Sequence, residues 1–150
     1  MNSTKAELYK RCSEYVEQRI RNAEEAIAGL KESAGSETKS SAGDKHETGR
    51  AMMQIEQEKN AKQLSESREL KNLLVRVHPA MYSAIVNAGS LVITDKGRFY
   101  ISISAGKIEL NGEEYFAIAP DAPLAKLFRG KSIGESVVFR DQSYRILDVM

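Results

Sequence analysis

Residues 107–119 read KIELNGEEYFAIA. On either side of Asn111-Gly112 the apolar residues Ile108, Leu110, Tyr115 and Ala117 recur every second position. A helix repeats its buried face every three to four residues and a strand every two, so this stretch predicts two strands. Asn-Gly between them suits the tight turn whose backbone twist matches that of paired strands. The segment is a predicted β-hairpin, and its neighbours must complete a sheet around it.

The same period runs outward from the hairpin. LVITD (91–95), RFYISIS (98–104), SVVFR (136–140) and SYRILDV (143–149) are short runs rich in β-branched and aromatic residues. Turn signals at DKG, SAG and the RGKSIGE segment separate them. One helical segment interrupts the strands, from about Asp121 to Phe128, opened by Asp121 with Pro123 in its first turn. Mostly antiparallel strands with one short helix predict a small α+β domain over residues 79–150.

Upstream the period changes. From Lys5 to about Ala34 no proline occurs, and Tyr9, Cys12, Val16, Ile20, Ala23, Ile27 and Leu30 recur at steps of three and four. A second run from about Thr48 to Val77 carries Met53, Leu64, Leu70, Leu73, Leu74 and Val77, and ends before Pro79. Each run predicts a helix about 45 Å long at ~1.5 Å per residue. Neither helix buries its stripe alone, so residues 1–78 are expected to form an antiparallel coiled-coil hairpin. Its far end is expected to be thinly packed, with Ala51 and Met52 facing Ala34 at best. The segment HPAMYSAIVNAGS that joins the halves has room for a turn of helix.

Composition narrows the function. Among 150 residues the formal net charge is only +1, which argues against a protein that holds nucleic acid by bulk positive charge. Cys12 is the only cysteine, so neither an internal disulfide nor a multi-cysteine zinc site can form. Its position on the apolar stripe predicts a buried structural thiol. MNSTKAELYKRCSE lacks the apolar core of a secretory signal, and no stretch approaches the ~20 apolar residues of a membrane span. A reduced, cytoplasmic setting is the expectation.

Between the helical runs lies SAGDKHETG (41–49), with Asp44 and Glu47 three residues apart. One reading is a capping box, in which Asp44 and Glu47 satisfy free backbone N–H groups at a helix start. The other is a pair of carboxylates presented for metal chemistry at the tip of a stalk. The residues alone leave both open. His46, between the acids, is read as a solvated loop histidine, and His78 beside Pro79 as a linker residue.

A long helical hairpin followed by a small β-rich domain resembles the Gre transcript-cleavage factors of bacterial RNA polymerase. In that family a glycine-aspartate pair and a glutamate three residues after the aspartate occupy the tip, as Gly43, Asp44 and Glu47 do here. PDAPLAKLFRGKSIGESVVF (120–139) and SYRILDV are similar to the family's C-terminal helix, Gly-Lys segment and final strand. The chain departs from the family after the tip glutamate, where Thr48, Gly49, Arg50 and Ala51 replace the usual Asn-Ala-Glu-Tyr.

The resemblance implies a transcription elongation factor whose tip enters the polymerase's secondary channel and stimulates cleavage of backtracked RNA. Asp44 and Glu47 would share Mg²⁺ with the polymerase's own acids, since two carboxylates are too few to complete that ion's six-oxygen shell. Asp121 and Pro123 match the loop that grips the polymerase. The chain is then not an enzyme by itself. It is expected to be a monomer with no tightly bound cofactor, no membrane partner and no nucleic-acid affinity of its own. The alternative is a non-cleaving regulator that occupies the same channel. The C-terminal half also resembles the FKBP fold, but prolyl isomerisation needs an aromatic-lined cleft, and Phe99, Tyr100, Tyr115, Phe116 and Phe139 sit mostly at core spacing within strands.

Overall fold

Two long helices, a six-stranded sheet and one short helix follow one another in a computed structural model of the chain. It describes the backbone of residues 3–37 and 45–150, and the side chains of 3–32 and 49–150. The elements are α1 (Ser3–Glu37), α2 (Lys45–Arg76), β1 (Leu91–Thr94), β2 (Gly97–Ile101), β3 (Gly106–Leu110), β4 (Glu113–Ile118), α3 (Pro123–Phe128), β5 (Ser136–Phe139) and β6 (Gln142–Val149). This is the α+β arrangement expected from the change of period. Every predicted strand is present.

Residues Val16–Lys71 form one compact unit, and the segment up to Tyr15 forms another with Asn72–Met150. In the first unit Val16, Ile20 and Ala23 of α1 are buried, and so is Ser67 of α2. The α2 seam is more polar than its apolar residues suggested. Gln57, Asn60 and Leu64 are half-buried along it. Ser67 turns its hydroxyl back onto the carbonyl of Gln63 at 2.7 Å, which lets a polar side chain sit in an apolar seam. Lys71 reaches Glu17 on the facing helix at 3.1 Å. At the far end Ala51 and Met52 are exposed, while Gly49 and Met53 are half-buried. The side chain of Ala34, their expected partner, lies outside the described residues. The seam advances by three and four along α2 and skips those two positions.

In the second unit the strand order is β3-β4-β2-β1-β6-β5. All pairings are antiparallel except β2 with β4, where Phe99 lies opposite Phe116 in parallel register. The Asn-Gly hairpin joins β3 and β4, with Asn111 at φ 53 and Gly112 at φ 80. Both central residues are left-handed, as the twist-matched two-residue turn requires. A second turn of this kind joins β5 and β6 through Arg140 (φ 50) and Asp141 (φ 64). It contains no glycine, which is why its sequence did not announce it.

Both faces of β2 are covered. Phe99 and Ile101 point into a cluster with Val86, Val92, Ala125, Phe128, Val137, Ile146 and Val149, beneath α3. Phe99 packs on the rings of Phe116, Phe128 and Tyr144 at centroid distances of 6.0, 5.6 and 6.0 Å. Tyr100 and Ser102 point the other way, where Ser102 Oγ lies 3.7 Å from Cys12 Sγ in the first turns of α1. A strand buried on both faces loses the apolar-polar alternation of a half-exposed one, hence the near-continuous apolar run of RFYISI. The joining segment at 77–90 consists of turns and bends and holds no turn of helix.

Candidate functional site

The sequence placed its candidate residues in two groups. Asp44 lies outside the described residues. Glu47 belongs to the first turn of α2, with its side chain, like that of His46, outside them as well. Among the described residues no group of three or more His, Cys, Asp or Glu side chains could hold a metal ion.

Asp121 and Pro123 are both described and both exposed. Pro123 is the first residue of α3, where its missing N–H is no loss because the first turn has no acceptor for it. Asp121 does not open the helix. The N-cap is Ala122, extended at φ −61 and ψ 144, and no side chain caps the helix. The expectation that Asp121 starts α3 is thus corrected by one residue. The reason is local. Proline at position 123 confines its predecessor to extended backbone, so Ala122 must be the last non-helical residue. The chain reaches it through a turn in which the Ala122 N–H donates to the carbonyl of Ala119 at 3.0 Å. The Asp121 carboxylate is left exposed and uncommitted to the helix.

Beside this loop is a small cleft that the sequence did not reveal. Val86, Asn87, Ala88, Ile101, Pro120, Ala125 and Arg129 line it, and its volume is about 40 Å³. Its walls are tied together by the backbone. The Val86 N–H donates to Lys131 O at 2.8 Å, and the Gly130 N–H donates to Val86 O at 2.9 Å. Gly130 takes a left-handed φ of 82, which brings its N–H round after the helix ends. No aromatic residue lines the cleft. The four rings of Phe99, Phe116, Phe128 and Tyr144 pack against one another instead, as the contact between Phe128 and Tyr144 at 6.1 Å and 89° illustrates.

Charge is distributed unevenly over this unit. Lys96, Arg98 and Lys107 each have a carboxylate partner within 4 Å, from Asp95, Glu113 and Glu114 respectively. Lys107 is held above its ordinary value by the hydrogen bond and charge of Glu114. The Arg140 guanidinium lies 5.0 Å above the Phe139 ring. Lys126, Arg129 and Lys131 differ from these, having no ion pair among the described residues. Their spacing of three cations in six residues was visible in the sequence, but their lack of counter-ions was not.

Cys12 is buried. Burial raises its thiol above the usual range, and the hydrogen bond with Ser102 opposes that only in part. A buried thiol kept protonated is a poor nucleophile, in keeping with the structural role expected of it. Among the described residues no helix is long and apolar enough to cross a membrane. Compared with known proteins, the chain matches no family model and no curated protein.

Proposed function

We propose that this protein is a transcription elongation factor that binds bacterial RNA polymerase and presents the segment between its two long helices in the secondary channel. There it stimulates hydrolysis of backtracked RNA. One observation carries the reading. Helix α1 has 35 residues and ends at Glu37, and α2 has 32 and begins at Lys45, so the acidic pair Asp44 and Glu47 falls at the junction of two long helices. At ~1.5 Å per residue each helix spans about 50 Å, enough to reach a centre buried inside a large enzyme.

Two carboxylates are hard oxygen donors of the kind Mg²⁺ prefers, and they leave most of its six positions for water, RNA phosphate and the polymerase's own acids. Bound there, the ion would supply charge neutralisation at the phosphate and a more acidic water. The part of this chain is to add negative charge that retains the ion and to accept hydrogen bonds from the attacking water. Asp121, in the sheet unit, supports the reading independently. Its carboxylate is exposed and free of a capping role, as a group that meets a partner should be. The cleft without aromatic lining favours this reading over a prolyl isomerase.

The decisive experiment is a stalled, backtracked elongation complex incubated with and without the protein. Shortening of the RNA from its 3′ end supports the reading, and unchanged RNA overturns it. A second reading is favoured by Gly49, which lies in α2 two residues after Glu47 and costs that helix about 1 kcal/mol relative to Ala. A loosened first turn holds the acids less rigidly and suits a protein that occupies the channel without cleaving. In the same assay that protein slows elongation and leaves the RNA intact.

A further inference from the structure

The region around α3 combines three features that local folding does not explain. Lys126, Arg129 and Lys131 have no ion pair among the described residues, as Lys10, Arg76 and Arg145 of this unit also have none, but these three fall within six residues of chain. Leu127 and Ile133 remain 40% and 59% exposed on the same segment. Arg129 also borders the cleft behind Val86 and Ala88, whose walls are already fixed by the two hydrogen bonds between Val86 and residues 130–131.

We propose that this surface is the docking site for an acidic protein segment that places one small apolar group in the cleft and its carboxylates over Lys126, Arg129 and Lys131. The inference rests on the reading that the Asp121–Pro123 loop meets RNA polymerase, and it extends that contact to a second set of residues. The occupant is argued from charge and shape. A basic patch without internal counter-ions is complementary to an acidic partner, and such patches accelerate encounter and fix orientation. A cleft of about 40 Å³ is large enough for a methyl-sized group and too small for an aromatic ring. Because its walls are bonded in place, little ordering accompanies binding.

Nucleic acid also seeks cations, but single strands are held by aromatic stacking platforms as well as charge. The only aromatic residue between Pro120 and Ile133 is Phe128, which is fully buried. A polypeptide fits the surface better than RNA does. Asp121, at the edge of the patch, adds direction, since it would favour a cation at one end of the incoming segment.

The test is titration of the full chain against RNA polymerase elongation complex at several salt concentrations, with free single-stranded RNA as a second probe. The parent should bind the polymerase more weakly as salt rises. Lys126→Glu combined with Lys131→Glu should weaken binding about tenfold and flatten the salt dependence. Ala88→Met, which fills the mouth of the cleft from an exposed position, should weaken it several-fold with the salt dependence kept. Both should melt like the parent, because neither lysine has an ion pair to lose among the described residues and Ala88 is exposed. If the parent binds and both variants bind equally well, this surface is not the dock, while the polymerase reading stands. If the parent itself does not bind polymerase, both are overturned. If the parent binds free RNA and the charge reversal abolishes it, the occupant is nucleic acid and the proposal is wrong.

Discussion

Lys5 Nζ donates a hydrogen bond to the carbonyl oxygen of Met81 at 2.6 Å, joining residues 76 positions apart. A second bond of 3.3 Å runs to the carbonyl of Met150. Lys5 is buried, and burial lowers its ammonium below the ordinary 10.5. One side chain thus ties the start of α1 to the segment after α2 and to the residue following β6. Beside it Leu8 and Cys12 are fully buried, and the Tyr9 hydroxyl donates to the carbonyl of Leu74 at 3.0 Å. The first turns of α1 are part of the sheet unit.

Lys5→Met keeps the aliphatic stem and removes the charged donor. Urea unfolding should show a loss of about 1.5–3 kcal/mol, the range for a hydrogen bond from a charged group. The pH dependence gives a second check. The unfolded chain holds this proton up to about pH 10.5, whereas the folded chain releases it earlier, so unfolding takes up a proton in the window just below 10.5. Stability of the parent therefore gains a contribution as pH rises through that window, and Lys5→Met should lack it.

Tyr100 is fully buried, and its hydroxyl has no hydrogen-bond partner among the described residues. Tyr100→Phe should raise stability by about 1 kcal/mol, because an unpaired buried hydroxyl is worse than none. Burial raises this phenol above its ordinary 10.0, with smaller contributions from Cys12 and Tyr9. The folded chain stays neutral while the unfolded chain ionises, so the contribution is complete below pH 10 and is lost as pH rises above it. Alkaline unfolding curves should therefore separate above pH 10 by about 1.4 kcal/mol per unit, with the Phe variant the more stable. A less stable Phe variant would show that the hydroxyl is bonded after all.

Asp141 sits at φ 64 in the β5–β6 turn. Asp141→Gly should stabilise the sheet unit by about 0.5–1 kcal/mol, since glycine takes this backbone without the clash of a Cβ. The opposite change at the other hairpin, Gly112→Ala at φ 80, should cost about 1 kcal/mol or more. Chemical denaturation of the two variants side by side tests both signs.

Asp44→Asn and Glu47→Gln separate metal retention from capping. Asn caps as well as Asp, and Gln can replace Glu in a capping box, so helix stability should hardly change. The lost negative charge should reduce 3′ RNA shortening tenfold or more while polymerase binding persists. Asp44→Ala should forfeit the cap as well, at about 1 kcal/mol. Equal cleavage by parent, Asn and Gln variants would leave the acids as caps only. Calorimetry of the free protein should detect no micromolar Mg²⁺ site, since two carboxylates cannot complete the shell.

What the sequence determined by itself was local. Periods of two and of three to four set the strands and helices, Asn111-Gly112 set one hairpin, and Pro123 set where α3 begins, because each is a constraint between near neighbours. The turn at Arg140-Asp141 was not legible, since neither residue prefers the left-handed backbone that the paired strands impose on it. Tertiary structure alone decided the rest. It buried Lys5, set Cys12 against Ser102, covered both faces of β2 and left the Tyr100 hydroxyl without a hydrogen-bond partner among the described residues. It also assembled a cleft from Val86, Ile101, Pro120 and Arg129, and among the described residues it set no carboxylate within ion-pair distance of Lys126, Arg129 or Lys131. Each of these depends on residues far apart in the chain, and a sequence records which side chains are present but not which distant ones will face them.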